Sequence, residues 1–354
     1  MRNGTTQRNN YKWQLNNLIN SVNSIEKYIP LDNETSKLIK NSRFSITPHL
    51  LSLINTNDYL NDPIAKQVIP SVNELITNDF LKNDPFNERI KSPSKNIIKR
   101  YPDRVLLITS NMCPAYCRFC TRKWNWQDNW ILQREDIKSV VNYLENNNNI
   151  REVIISGGEP LILDDDFLEE ILKKIRKIKS IEVIRIASRI LTFLPQRIDK
   201  KLINIIKKYG PIWIVTHFNH PNEITEVTKS AIDKLLDAKV SIINQSVLLK
   251  DINDNYEILS SLMKKLESLL IKPYYLFQCD LIEGTTHFRV PIERGIELIK
   301  KMRGNISGIC QPTYIIDHPE GTKIPISPQY ISKIEKNKII LKNYEEKIFD
   351  YPLY

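Results

Sequence analysis

From residue 11 to about 100, apolar positions recur at helical spacing with Pro30, Pro48, Pro63, Pro70, Pro85 and Pro93 as punctuation, which predicts a helical N-terminal region. Beyond it the pattern changes to short apolar runs at 105–109, 153–156, 183–187, 212–216, 240–245 and 273–278, each reading as a buried parallel strand. Amphipathic stretches such as 166–177, 226–238 and 256–270 lie between the runs, so strand-then-helix alternates six times. This predicts an α/β fold, a partial (β/α)6 TIM-like barrel over 101–290. A helical region (1–100) precedes it and a C-terminal segment (291–354) with one more apolar run at 312–316 follows. Barrels of this kind place their chemistry at the C-terminal ends of strands. The cysteine loop follows the first run, Gly157-Gly158-Glu159 the second, and His217, Gln245 and Asp280 lie at or after later ones.

Composition narrows the class. With 354 residues, 41% hydrophobic and 26% charged, the chain can bury a core, and no long stretch reads as disordered. A net charge of +10 would permit binding to nucleic acid, but Lys173, Lys174, Lys177 and Lys179 are spread through helical segments and no basic cluster carries interleaved aromatics. No nucleic-acid partner is expected. Neither a signal-peptide pattern at the N-terminus nor an apolar stretch of membrane-spanning length is present, which makes a cytoplasmic protein the expectation. Five cysteines, three of them within eight positions while Cys279 and Cys310 stand apart, do not form a disulfide framework.

Cys113, Cys117 and Cys120 form a C-x-x-x-C-x-x-C triplet. A structural zinc normally takes four ligands, and no fourth lies nearby. Three closely spaced thiolates suit a [4Fe–4S] cluster, and three protein ligands leave one iron open for chemistry. The spacing resembles that of the radical S-adenosylmethionine (SAM) superfamily, where the open iron chelates SAM and one electron releases a 5′-deoxyadenosyl radical. The resemblance places Phe119 beside the adenine, and Ser156-Gly157-Gly158-Glu159-Pro160 resembles the superfamily's second motif, where glycines permit close backbone approach to SAM.

Longer strings narrow the match: Tyr101-Pro102-Asp103-Arg104-Val105-Leu106-Leu107, Leu194-Pro195-Gln196-Arg197-Ile198, Thr216-His217-Phe218-Asn219-His220-Pro221-Asn222-Glu223, Asn244-Gln245-Ser246-Val247-Leu248-Leu249 and Pro273-Tyr274-Tyr275. In this order they resemble the lysine 2,3-aminomutase family, radical SAM enzymes that also use pyridoxal phosphate (PLP). The resemblance implies an isomerase that takes a β-hydrogen from a PLP-bound amino acid, lets the nitrogen migrate and returns the hydrogen. Lys323 matches the family lysine that holds resting PLP as a Schiff base. Arg100 and Arg104 match contacts to the PLP phosphate, and His217 and Gln245 line the shared SAM and PLP cavity. Arg122 matches the arginine that grips the substrate carboxylate, and Asp280 and Asp317 the aspartates directed at a side-chain ammonium.

L-Lysine is the favoured substrate, with arginine or another cationic amino acid as the alternative; a non-catalytic zinc or RNA-binding protein is the rival class. A reductant such as flavodoxin or ferredoxin is implied, and homo-oligomerisation is left open. The sequence departs from the family's pattern in three places. Arg122-Lys123-Trp124-Asn125-Trp126 is bulkier than usual, Pro319-Glu320-Gly321-Thr322 is one residue short before Lys323, and the zinc-binding cysteines of some members have no counterpart.

Overall fold

The computed structural model of the chain describes residues 9–128, 130–320, 322–327, 329–343 and 345–352. Its centre is one sheet in the order β1 (Ile97–Ile98), β2 (Arg104–Ile108), β3 (Glu152–Ser156), β4 (Val183–Ala187), β5 (Ile212–Thr216), β6 (Ser241–Leu248), β7 (Lys272–Gln278), β8 (Thr313–His318) and β9 (Thr322–Pro325). Strands β2 to β8 are all parallel, and β1 and β9 pair antiparallel at the two edges. Spatial order follows chain order because each crossover carries a helix: α1 (Asp136–Glu145), α2 (Asp165–Arg176), α3 (Lys200–Lys208), α4 (Glu226–Asp237), α5 (Tyr256–Ser268) and α6 (Ile292–Met302). The expected six strand-helix units are present, and α6 leads into β8, which extends the same sheet beyond residue 290.

Local sequence explains where these helices begin and which face they bury. Asp199, Thr225 and Asn255 cap α3, α4 and α5 by accepting from backbone N–H groups three residues on. Helix α2 opens on Asp165 and Asp166 and closes on Lys173, Lys174 and Arg176, which suits the helix dipole. Its buried stripe, Leu168, Ile171, Leu172 and Ile175, meets Val153 and Ile155 of β3 and Ile184 and Ile186 of β4 in one large isoleucine- and leucine-rich core.

The N-terminal region is only partly as its pattern predicts. Helices occupy Tyr11–Asn16, Val22–Ile25, Asn33–Asn41, Pro48–Leu51 and Ala65–Val68; Tyr11 and Leu15 of the first pack against the main core, and the apolar sides of the other four form a second core with Ala115 and Phe193 of the barrel. From 69 to 96 the helical expectation fails, leaving a 3-10 turn at Val72–Leu75 among loops. Pro70, Pro85 and Pro93 interrupt the backbone ladder there, and Asn73, Asn78, Asp79 and Asp84 favour local turns over helix. The segment after β9 adds an antiparallel sheet of β10 (Ile331–Ile334), β11 (Lys338–Lys342) and β12 (Ile348–Pro352), which the sequence pattern did not announce. No helix among the described residues is long and apolar enough to cross a membrane.

Candidate active site

Alternate residues of the barrel strands face inward and stay half-exposed: Arg104 and Leu106 on β2, Ile154 on β3, Arg185 and Ala187 on β4. They line a cavity of about 360 Å3 that runs along the lumen, a volume within the usual range for small-molecule sites. A closed eight-stranded barrel fills this space with layers of side chains; here the lumen is itself the site. Every residue expected to bind cofactor, substrate or metal lines this one cavity.

The cysteine loop follows β2. Cys113, Cys117 and Cys120 are free thiols, each half-buried, and Cys120 N donates to Cys117 O at 3.1 Å. The N-terminal region clamps the loop from outside. Arg118 donates Nε and Nη2 to the two oxygens of Glu74, both at 2.8 Å, and Nη1 to Arg43 O, while Arg43 Nη1 reaches Asn111 O and the Tyr116 hydroxyl. Burial first, then the charges of neighbouring thiolates, push Cys120 up to about 11 and Cys113 well above the ordinary thiol value. Holding these sulfurs as thiolates therefore calls for a cation among them, which bound iron supplies. Among the described residues no three or more His, Cys, Asp or Glu side chains gather tightly enough for a single ion. Three thiols around one end of a cavity suit a cluster, whose ligands attach to separate irons.

The glycines after β3 have a structural reason in addition to the expected one. Gly157, at φ +132°, and Gly158 lie flat against the cysteine loop: a Cβ on Gly157 would stand 2.5 Å from Ser110 O, and one on Gly158 2.2 Å from Met112 O. Gly158 N donates to Ser110 O and Glu159 N to Met112 O. Ser156 joins them by accepting at its carbonyl from Thr109 N and Oγ1. Glu159 is buried; its carboxylate accepts from Leu161 N, Ser188 Oγ and Arg189 N, and burial raises it to about 7.

Phe119 packs edge-on against Phe288, with ring centroids 5.9 Å apart, and beside His217. Burial, then the Arg189 charge, hold the His217 imidazole well below its usual value, so it is neutral. Gln245 and Val247 face the lumen by strand alternation on β6, while the register shift between β6 and β7 skips Tyr274, so that Tyr274 and Tyr275 of β7 both border the cavity. The bulky run after Cys120 is absorbed in two ways. Trp124 is fully buried with Ile98 and Ile108, while Trp126 lines the cavity under the Arg118 guanidinium.

At the other end of the cavity, charges are paired. Arg100 Nη2 binds Asp317 Oδ1 at 2.8 Å and Lys323 Nζ binds Asp317 Oδ2 at 2.9 Å; the β8–β9 register sets Asp317 opposite Lys323. The short link therefore still delivers the Lys323 amine to the cavity, with Thr322 at φ +59°, a left-handed conformation costly for a β-branched residue. Gly321 lies outside the described residues. Arg104 stacks 3.7 Å over the Tyr101 ring and pairs with Asp103. Arg122 Nη2 donates to Glu88 Oε1 at 2.7 Å, while Arg122 Nε and Glu88 Oε2 are buried without partners among the described residues. Asp280 makes no ion pair among the described residues, and burial, then the Asp317 charge, raise it to about 8.

Glu88, Arg185 and Arg189 line the cavity without having been singled out from sequence. Glu88 has no local signature. Arg185, paired across strands with Glu152, did leave one, since a charge between isoleucines of a buried strand marks a polar lumen. Arg189 stands two residues past β4, where the strand-end rule would have looked.

Two family models match the chain: "Radical SAM superfamily" over residues 107–262 and "Lysine-2,3-aminomutase" over 299–353. L-Lysine 2,3-aminomutase of Clostridium subterminale is 44% identical over 349 residues, 97% of this chain and 84% of that protein. The Methanococcus maripaludis L-lysine 2,3-aminomutase is 44% identical over 351 residues, 97% of this chain and 81% of that protein. Glutamate 2,3-aminomutase of Clostridioides difficile is 38% identical, covering 98% of this chain and 83% of that protein.

Proposed function

We propose that this chain, which belongs to the lysine 2,3-aminomutase family of radical SAM enzymes, interconverts L-lysine and β-lysine. As a member of that family it is an isomerase that acts on an amino acid with a [4Fe–4S] cluster, SAM and PLP. When bound, the cluster supplies an electron, SAM a 5′-deoxyadenosyl radical, and PLP a conjugated carrier for the migrating nitrogen.

The chain's own residues divide the remaining work. Cys113, Cys117 and Cys120 hold the cluster, and Phe119 and the backbone around Ser156, Gly157, Gly158 and Glu159 form the wall that SAM meets. Lys323 supplies the amine that bonds PLP, while Arg100 and Arg104 offer cations to its phosphate. Neutral His217 and Gln245 border both cofactors. Arg122, steadied on one side by Glu88, presents its remaining N–H groups to the substrate carboxylate. Electrons come from a separate donor of the flavodoxin or ferredoxin kind.

One observation carries the choice of substrate: Asp280 is a carboxyl group with no ion-pair partner among the described residues, in the cavity that also holds the cysteine triplet and Lys323. A side-chain ammonium would stabilise its charged form, while Asp317, expected beside it in the same role, is already paired with Arg100 and Lys323. A glutamate side chain would gain no such stabilisation and would meet repulsion wherever Asp280 is ionised. The test is an anaerobic assay of reconstituted protein with reductant, SAM and PLP, given lysine, arginine, ornithine or glutamate in turn. β-Lysine should form fastest; no β-isomer, or a preference for glutamate, would overturn the assignment.

A further inference from the structure

Arg189 has its guanidinium committed to fixed acceptors. Nη1 donates to Cys117 Sγ at 3.0 Å, Nε to His217 O at 2.9 Å, and Nη2 to Gln67 Oε1 at 3.0 Å and Glu223 Oε2 at 3.2 Å. Glu223 is fully buried. Its Oε1 accepts from Gln67 Nε2, Asn219 N and His220 N, and its Oε2 also from Thr192 Oγ1. The pair is thus locked between the N-terminal helix Ala65–Val68 and the ends of β4 and β5, away from solvent. Of the three clustered thiols, Cys117 is the one that accepts from a guanidinium; Cys120 accepts from the backbone N of Arg122 at 3.4 Å.

We propose that Arg189 sets the reduction potential of the cluster through its N–H to Cys117 Sγ, with Glu223 as the counter-charge that limits the effect. Reduction adds an electron that is shared between the irons and their thiolates. A hydrogen-bond donor and positive charge at one sulfur stabilise the reduced form and raise the potential, and in a buried setting neighbouring water does not average the effect away. A fixed carboxylate on the far side of the guanidinium acts in the opposite sense. The role rests on the cysteines holding the cluster.

The test is the potential of the reconstituted cluster without SAM, read by EPR during a reductive titration, in wild type, Arg189→Gln, Arg189→Lys and Glu223→Gln. Arg189→Gln should shift it to more negative values, Arg189→Lys less so, and Glu223→Gln to more positive values. Opposite signs are the decisive outcome, because simple loosening of the loop would not produce them. Unchanged potentials, or shifts of the same sign in Arg189→Gln and Glu223→Gln, overturn the proposal. Should Arg189→Gln assemble no cluster, Glu223→Gln alone decides, and an unchanged or lowered potential counts against it. Wild-type protein that takes up no iron–sulfur cluster would instead refute the cofactor assignment.

Discussion

Pairing of single side chains decides which charges in the cavity are free to meet a ligand. Asp317 is neutralised by Arg100 and Lys323, and Glu88 by Arg122, which leaves Asp280 with its charge suppressed. Since Asp280 titrates near 8, above the ordinary carboxyl value, it is mostly protonated at pH 7. Binding an ammonium there expels that proton, so affinity for lysine should fall about tenfold for each pH unit below 8 and level off above it. The measurement is KM for lysine from pH 6.5 to 9. Asp280→Asn should flatten this profile and lower kcat/KM by roughly thirtyfold, about 2 kcal/mol, through loss of one charged contact. A wild-type profile without a break near pH 8 would count against Asp280 as the ammonium's partner. At this scale the cysteine triplet was legible from residue type and spacing, whereas Lys323 was marked only by the family resemblance; the fold places both in one cavity. The sequence was silent on Glu88, and of Arg189 it showed only a place just past a strand end, since the partners of both lie far away in the chain.

Among the elements, the turn after β3 and the loop after β2 behave as one unit. The Gly157-Gly158 pair reads from sequence as room for a ligand, yet in the fold its first task is to let the cysteine loop lie on it backbone to backbone. Sequence spacing could place both segments at neighbouring strand ends but not show that they touch. Gly158→Ala would put a methyl 2.2 Å from Met112 O, and neither backbone can yield without moving Cys113. We expect a cost of about 3 kcal/mol, seen as a lower Tm, together with reduced iron content after reconstitution. Full iron loading and an unchanged Tm would show that the turn does not support the cluster loop. The recurring strings have a similar explanation. Arg197, fully buried, donates to Leu161 O and Asp165, and Glu223 gathers donors from Gln67, Arg189, Thr192, Asn219 and His220. Arg197 and Glu223 thus hold strand ends in place, while Arg104, His217, Gln245 and Tyr275 of the same strings line the cavity.

For the whole molecule, hydrophobic periodicity disclosed the strand-helix alternation because parallel strands are apolar on both faces and helices on one. It did not disclose the course of 69–96, where proline and asparagine dominate, nor the C-terminal sheet, whose strands are short and largely exposed. The polar lumen was hidden for a related reason: Arg104 and Arg185 each sit in runs otherwise apolar enough to read as filled core. Arg100 before β2 and Asp317 on β8 link the first and last parallel strands across the cavity, so the thiols and the Lys323 amine share one space. That shared space is the central claim, because it would let a radical made at the cluster reach an amino acid bound to PLP beside Lys323. SAM tritiated at its 5′ carbon tests it directly. With reductant, PLP and L-lysine under anaerobic conditions, tritium should pass into both lysine and β-lysine; β-lysine formed without label would contradict the account.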